Sequence, residues 1–172
     1  PFYLACIEEH PGLHCLTTSM LSLPHHKQKT LYDCGPACLQ MIFEYFGNVK
    51  TQEALSARLN AGPDTWVSNE ELEIVAQEVG FYTKSMTNAT LEDLTICIDS
   101  GIPTIINYID PDNHEGHFAV VVDYTSDYLV LNDPWYGKDF PLPFSYIVDN
   151  WRSFEGDRQQ WLLAISKEKI VV

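Results

Sequence analysis

Gln28-Lys29-Thr30-Leu31-Tyr32-Asp33-Cys34-Gly35-Pro36-Ala37-Cys38-Leu39 is the stretch that decides how this chain is read. Behind it Ala37, Cys38, Met41, Ile42, Tyr45 and Phe46 recur at helical spacing, and Gly47 supplies a C-terminal stop. The pattern predicts a core helix over Pro36–Phe46 with Cys34 at its start. Pro36 suits the first turn, where its missing N–H has no intrahelical partner to lose. Cys34 thus meets the positive end of a helix macrodipole, which favours thiolate over thiol. Cys38, one turn on, faces the same side and is expected to pack inward.

Working outward, Gly116-His117-Phe118-Ala119-Val120-Val121-Val122 reads as a strand opening on a histidine. Leu129-Val130-Leu131-Asn132-Asp133-Pro134 reads as its hairpin partner, closing on Asp133. His117 and Asp133 are 16 residues apart, a spacing that suits two ordinary strands of about 5 to 6 residues and a turn, with their far ends facing each other. A cysteine attacks a carbonyl as thiolate and needs a base beside it; His117 fits that role. Asp133, bonded to the other ring nitrogen, would fix the tautomer and hold the ring plane. Charge developing on a carbonyl oxygen needs donors, and the Cys34 backbone N–H and the Gln28 amide can supply two.

The remaining elements follow from periodicity and caps. Short helices are expected over Gln52–Leu59, over Asn69–Val79 behind the capping box Ser68-x-x-Glu71, and over Leu91–Asp99 behind Thr90. Ile102–Ile109, Phe118–Tyr124 and Tyr128–Asn132 are β-branched and aromatic runs separated by turn residues. Ser145 is expected to cap a turn of helix through Trp151, Trp161–Ser166 to return as a strand, and Ile170–Val172 to extend it. Residues 1–23 read as an N-terminal arm or strand and 24–172 as one domain. Helices first and antiparallel strands second make an α+β fold, with Cys34 on a helical wall of a cleft and His117 and Asp133 on its sheet wall.

Composition narrows the partners. The chain has 172 residues, of which 45% are hydrophobic, enough for one domain with a core. A net charge of −14 argues against nucleic acid and anionic membrane surfaces as partners and suits a basic or neutral one; the peptide or protein substrate expected here rests on the site chemistry above. No apolar run approaches the roughly 20 residues of a membrane helix, and no signal peptide opens the sequence. Cys6, Cys15, Cys34, Cys38 and Cys97 are an odd set without disulfide-rich spacing, which fits a reducing, cytoplasmic compartment. Cys6, His10, His14 and Cys15 match no compact zinc pattern, so neither metal nor cofactor is implied.

Each candidate has a rival. His114 lies in the polar loop Asp110–Gly116 and reads as solvated. Asp123 ends the strand that His117 begins, at the wrong end of the sheet, and Asp127 lies in the following turn. Cys38 and Cys97 read as small buried hydrophobes. His25 and His26 read as exposed loop. Trp66, Trp135 and Trp151 read as core or cleft wall, with Trp135, just after Asp133, the one expected to touch substrate.

Gln28 followed by Asp33-Cys34-Gly35-Pro36-Ala37-Cys38-Leu39 and Met41-Ile42, with Gly116-His117-Phe118-x-Val120-Val121 and Asn132-Asp133-Pro134 later, resembles the bacteriocin-processing cysteine peptidases. These are double-glycine leader peptidases of papain-like fold, often fused to ABC transporters. The resemblance covers about residues 24–166, and its first block is the most specific. It implies a triad of Cys34, His117 and Asp133, an oxyanion-hole role for Gln28, and cleavage after a Gly-Gly pair ending a leader peptide. No transporter membrane segment or ATPase follows, so the chain reads as a stand-alone relative, and Asp123 stands where many members have glycine. Two alternatives stay open beside hydrolysis. One is transfer or deamidation through the same thioester; the other is a non-catalytic peptide-binding module, against which the presence of all four residues counts.

Overall fold

The computed structural model describes residues 20–153 and 159–171. Eleven elements follow in the order α1 (Cys34–Tyr45), α2 (Gln52–Arg58), α3 (Asn69–Glu78), β1 (Tyr82–Met86), α4 (Leu91–Asp99), β2 (Thr104–Ile109), β3 (Gly116–Tyr124), β4 (Tyr128–Asp133), β5 (Gly137–Pro143), α5 (Phe144–Asn150) and β6 (Leu162–Ser166). α2, α3 and α4 begin at capping side chains. The Ser68 hydroxyl accepts from Glu71 N at 3.2 Å while the Glu71 carboxylate accepts from Ser68 N at 2.9 Å, and Thr90 and Asp93 repeat the arrangement for α4. Gly47, at φ +79°, lets the chain leave α1 in the left-handed region that side chains avoid.

All six strands join one antiparallel sheet in the order β1-β6-β2-β3-β4-β5. Alternation splits its side chains between two cores. Ile105, Phe118, Val120, Val122, Leu163 and Ile165 face α1, α2 and α3; Ile106, Ala119, Val121, Leu131 and Leu162 face the other way, toward α4 and α5. Coverage on both faces explains why β2 and β3 read as nearly continuous apolar runs instead of alternating ones.

The α+β architecture, the helices α1 to α4 and the strands β2, β3, β4 and β6 lie where the sequence puts them. Four readings change. β1 and β5 were not expected, and Ile170 and Val171 form no strand, with Val172 outside the described residues. Ser145 lies inside α5, whose N-cap is Pro143 without a side-chain bond; Phe144 N bonds the Asp127 carbonyl at 2.9 Å instead. Of the expected N-terminal arm, residues 1–19 lie outside the described residues. Leu21 and Leu23 are buried against the core without forming a strand, and Leu21 N donates to the Val122 carbonyl at 2.9 Å.

Gly35 marks the tightest approach between layers. A Cβ there would stand 3.1 Å from Leu72 Cδ2, 3.3 Å from Val67 Cγ1 and 3.5 Å from Phe118 Cδ2, so α3 and β3 close on α1 just behind Cys34. Gly35→Ala is expected to lower stability by about 1–3 kcal/mol through overpacking, measured by urea denaturation.

Candidate active site

The loop that delivers Cys34 is anchored from several sides. The Asp33 carboxylate accepts from Thr30 Oγ1 at 2.7 Å and from Ser56 Oγ at 2.6 Å, which folds the loop back on itself and ties it to α2. The Gln52 side chain accepts from Lys29 N at 2.7 Å and donates to the Lys27 carbonyl at 3.2 Å, bracketing Gln28. Gln28 N itself donates to the Pro134 carbonyl at 3.0 Å. His25 and His26, read from sequence as exposed, are half-buried and bonded. His25 Nε2 donates to the Asp133 carbonyl at 2.8 Å, and His26 Nε2 meets Glu44 at 2.7 Å. Residues 21–28 run as a strap bonded to Val122, Asn132, Asp133 and Pro134, a placement local sequence does not encode.

On the sheet side, β3 starts at Gly116 and presents His117 opposite Tyr108 of β2. His117 Nε2 stands 3.1 Å from both oxygens of Asp133, the last residue of β4. Asp133 is wholly buried and has three further donors: Tyr108 Oη at 2.8 Å, Trp135 N at 2.8 Å and Tyr136 N at 2.9 Å. Burial alone would raise its pKa, but His117 and these donors outweigh burial and hold it below the usual carboxylate range. Burial likewise opposes charge on His117, yet its hydrogen bonds and charge interactions with Asp133 and Cys34 prevail and push its pKa up. One imidazole therefore engages the Asp133 carboxylate through Nε2 while lining the same cleft as the Cys34 thiol.

Cys34, Gln28, His117, Asn107, Trp66 and Trp135 line one cleft of about 410 Å³, with Asp133 behind its wall. That size falls within the usual range for ligand sites. Trp66 and Trp135 are 69% and 45% exposed, and Lys27 Nζ lies 5.7 Å from the centre of the Trp135 ring. Gln28 differs in detail from expectation. Its Nε2 donates to the Thr30 carbonyl at 2.8 Å, so one of its two N–H bonds is committed and one remains. A nucleophile, a base with an orienting carboxylate and spare donors are the parts that covalent acyl transfer needs.

The rivals stand apart. His114 is exposed in the β2–β3 loop, at φ +61°, and does not line the cleft. Asp123 lies beyond a β-bulge at the far end of β3, where its carboxylate accepts from Tyr124 N at 2.8 Å, and Asp127 is in the turn after it. Cys38 and Cys97 are buried, and burial raises both thiols, Cys38 by far the more. Trp151 is core. Cys6, His10, His14 and Cys15 lie outside the described residues; among those described, no group of three or more His, Cys, Asp or Glu is placed to hold a metal, and no helix is long and apolar enough to cross a membrane. Two residues at the site escaped the sequence reading. Tyr108 is ordinary as a strand residue and meaningful only through its register with His117. Asn107 carried a signal, a lone amide inside the apolar run Ile102–Ile109.

Three likenesses to solved structures share this architecture. A double glycine motif protease from an AMS/PCAT transporter, in complex with the leader peptide, superposes with a TM-score of 0.67 at 19% identity, covering 87% of this chain and 94% of that one. The peptidase domain of Streptococcus ComA, a bi-functional ABC transporter involved in quorum sensing, gives 0.69 at 20%, over 86% and 99%. A protein described as a C39-like peptidase, from Bacillus anthracis, gives 0.72 at 14%, over 88% and 98%. No curated protein matches the chain in sequence. The family model of the peptidase C39 family matches residues 22–143, most of the chain, a span that includes Cys34, His117 and Asp133. With that match over a cleft lined by a thiol and an imidazole, the imidazole backed by a buried carboxylate, the chain belongs to the peptidase C39 family and is a cysteine peptidase.

Proposed function

We propose that this peptidase cuts its substrate through a Cys34-His117-Asp133 triad and an acyl-enzyme. The Cys34 thiolate attacks the scissile carbonyl carbon, forming a C–S bond. Protonated His117 gives its proton to the leaving amine as the C–N bond breaks. Water, deprotonated by His117, then attacks the thioester, and acid and thiol are released. Asp133 keeps Nε2 occupied so that Nδ1 faces sulfur, and its charge stabilises the imidazolium. The Cys34 backbone N–H and the uncommitted N–H of Gln28 stabilise the oxyanion. The observation that carries the reading is a single imidazole that shares a cleft with the cysteine and is bonded to a buried carboxylate with three other donors.

The substrate is a peptide with Gly-Gly before the scissile bond, as in a leader; the likeness to a double glycine motif protease bound to a leader peptide supports this. Residues 24–172 act as one peptidase domain, a reading favoured by β6 threading between β1 and β2. The chemistry suits a reducing, cytoplasmic compartment, and Cys34, Cys38 and Cys97 carry no disulfide.

Incubation with a synthetic leader-type peptide should give two fragments split after Gly-Gly, identified by mass spectrometry. Ligated or deamidated products, or an intact peptide, would overturn the hydrolytic reading. Iodoacetamide should label Cys34 well before Cys38 or Cys97, because Cys34 alone of the three lines the cleft and the other two thiols are buried and raised in pKa. Equal labelling of the three, read by peptide mapping, would count against Cys34 as nucleophile.

A further inference from the structure

Among the described residues, three buried side-chain atoms lack any hydrogen-bond partner: Gln28 Oε1, Asn107 Oδ1 and Ser153 Oγ. All three residues line the cleft that holds Cys34 and His117. Elsewhere buried polar side chains are bonded, as native interiors require. Such a concentration of unmet groups at one place points to a ligand that meets them.

Asn107 is the most informative of the three. It sits in β2 on the face turned toward α1, between Ile105 and Ile109, and pairs in register with Phe118. Its neighbour Tyr108 pairs with His117, so Asn107 is one step along the strand from the base. The residue is 7% exposed and its buried amide oxygen, Oδ1, has no hydrogen-bond partner among the described residues. Leucine has nearly the same shape and would fill the site without leaving a polar group unmatched, so a bare amide here is a liability for folding. The amide torsion is soft, which lets it turn either its carbonyl or its NH2 toward the cleft.

We propose that Asn107 is a substrate-binding residue whose side-chain amide pairs with a main-chain amide of the peptide lying in the cleft beside Cys34. An amide offers one acceptor and two donors, the complement of a peptide group's N–H and C=O. Pairing with main chain holds the peptide in place without demanding a particular side chain at that position. The inference rests on the peptidase reading above and deepens it.

The test uses Asn107→Leu and a fluorogenic peptide ending in Gly-Gly before its reporter amide. The variant should fold with stability equal to or above the parent and should keep the parent's rate of Cys34 alkylation by iodoacetamide. Its kcat/KM should fall about ten-fold or more, as expected for one lost hydrogen bond to a now unmatched substrate group, chiefly through KM. Singly N-methylated or ester-substituted peptides should then show one backbone position whose alteration harms the parent and leaves the variant unaffected. An unchanged kcat/KM, equal sensitivity of both proteins at every position, or loss of alkylation together with activity would overturn the assignment. If the parent itself leaves the peptide uncut, the peptidase reading fails instead, and that result is separate from any difference between parent and variant.

Discussion

Cys34→Ala is expected to abolish cleavage, with kcat reduced by about 10⁴-fold or more against a parent enzyme assayed on the same leader-type peptide. In the proposed mechanism alanine leaves His117 and the oxyanion donors in place but supplies no atom to form the acyl-enzyme. His117→Ala should lose a comparable factor, because the imidazole both activates sulfur and protonates the leaving amine. The double variant should be no worse than either single one, since nucleophile and base work as a unit. Cys34 is only partly buried, so a thermal melt of Cys34→Ala close to the parent would assign the loss to chemistry. Residual cleavage above a few per cent in Cys34→Ala would remove Cys34 from the mechanism.

Asp133→Ala should produce the largest effect on folding. It strips the partner from four donors at once, Tyr108 Oη, His117 Nε2, Trp135 N and Tyr136 N, all in a wholly buried position. Breaking such a buried, charge-bearing network typically costs about 3–5 kcal/mol. Asp133→Asn is the companion variant, since it keeps an acceptor for His117 while removing the charge. The pH dependence has a definite sign. Asp133 is depressed in the folded state, so its contribution is present above the unfolded carboxylate value near 4 and fades as pH falls through the lower folded value. His117 is raised, so its contribution is complete below the unfolded value near 6.5 and is lost as pH climbs through the higher folded value. The stability gap between parent and Asp133→Asn, from urea titrations at several pH values, should therefore be greatest between about pH 4 and 6.5 and narrow on either side. A gap that widened steadily into the alkaline range would mean that the two charges do not stabilise each other.

The parts of the fold legible from sequence share a physical cause. β2, β3, β4 and β6 are interior strands of the sheet, and their burial wrote apolar, β-branched runs into the chain. The two strands that escaped notice, β1 and β5, are its two edges. An edge strand has one free side, so β1 tolerates Thr83, Lys84 and Ser85, and β5 carries Pro141 and Pro143, residues that argue against a strand in an interior position. The misplaced cap at Ser145 has a similar origin: a distant carbonyl, that of Asp127, took the role a local side chain was expected to fill. At the site, residues whose chemistry is unusual for their setting stood out, Cys34 at a helix start and His117 and Asp133 at strand ends. Tyr108, His25 and the strap over residues 21–28 matter through partners about 25 to 110 positions away, and no local pattern announces them.

β6 has a bearing on biosynthesis. It enters the sheet between β1 and β2, pairing with Tyr82–Met86 on one side and Thr104–Ile106 on the other, although it is made after both of them and after every other described strand. Until residue 166 has left the ribosome, β1 has no strand partner and Leu163 and Ile165 cannot complete the core under α1. The core beneath the helix that carries Cys34 is thus completed late in synthesis, well after residues 34, 117 and 133 have been made.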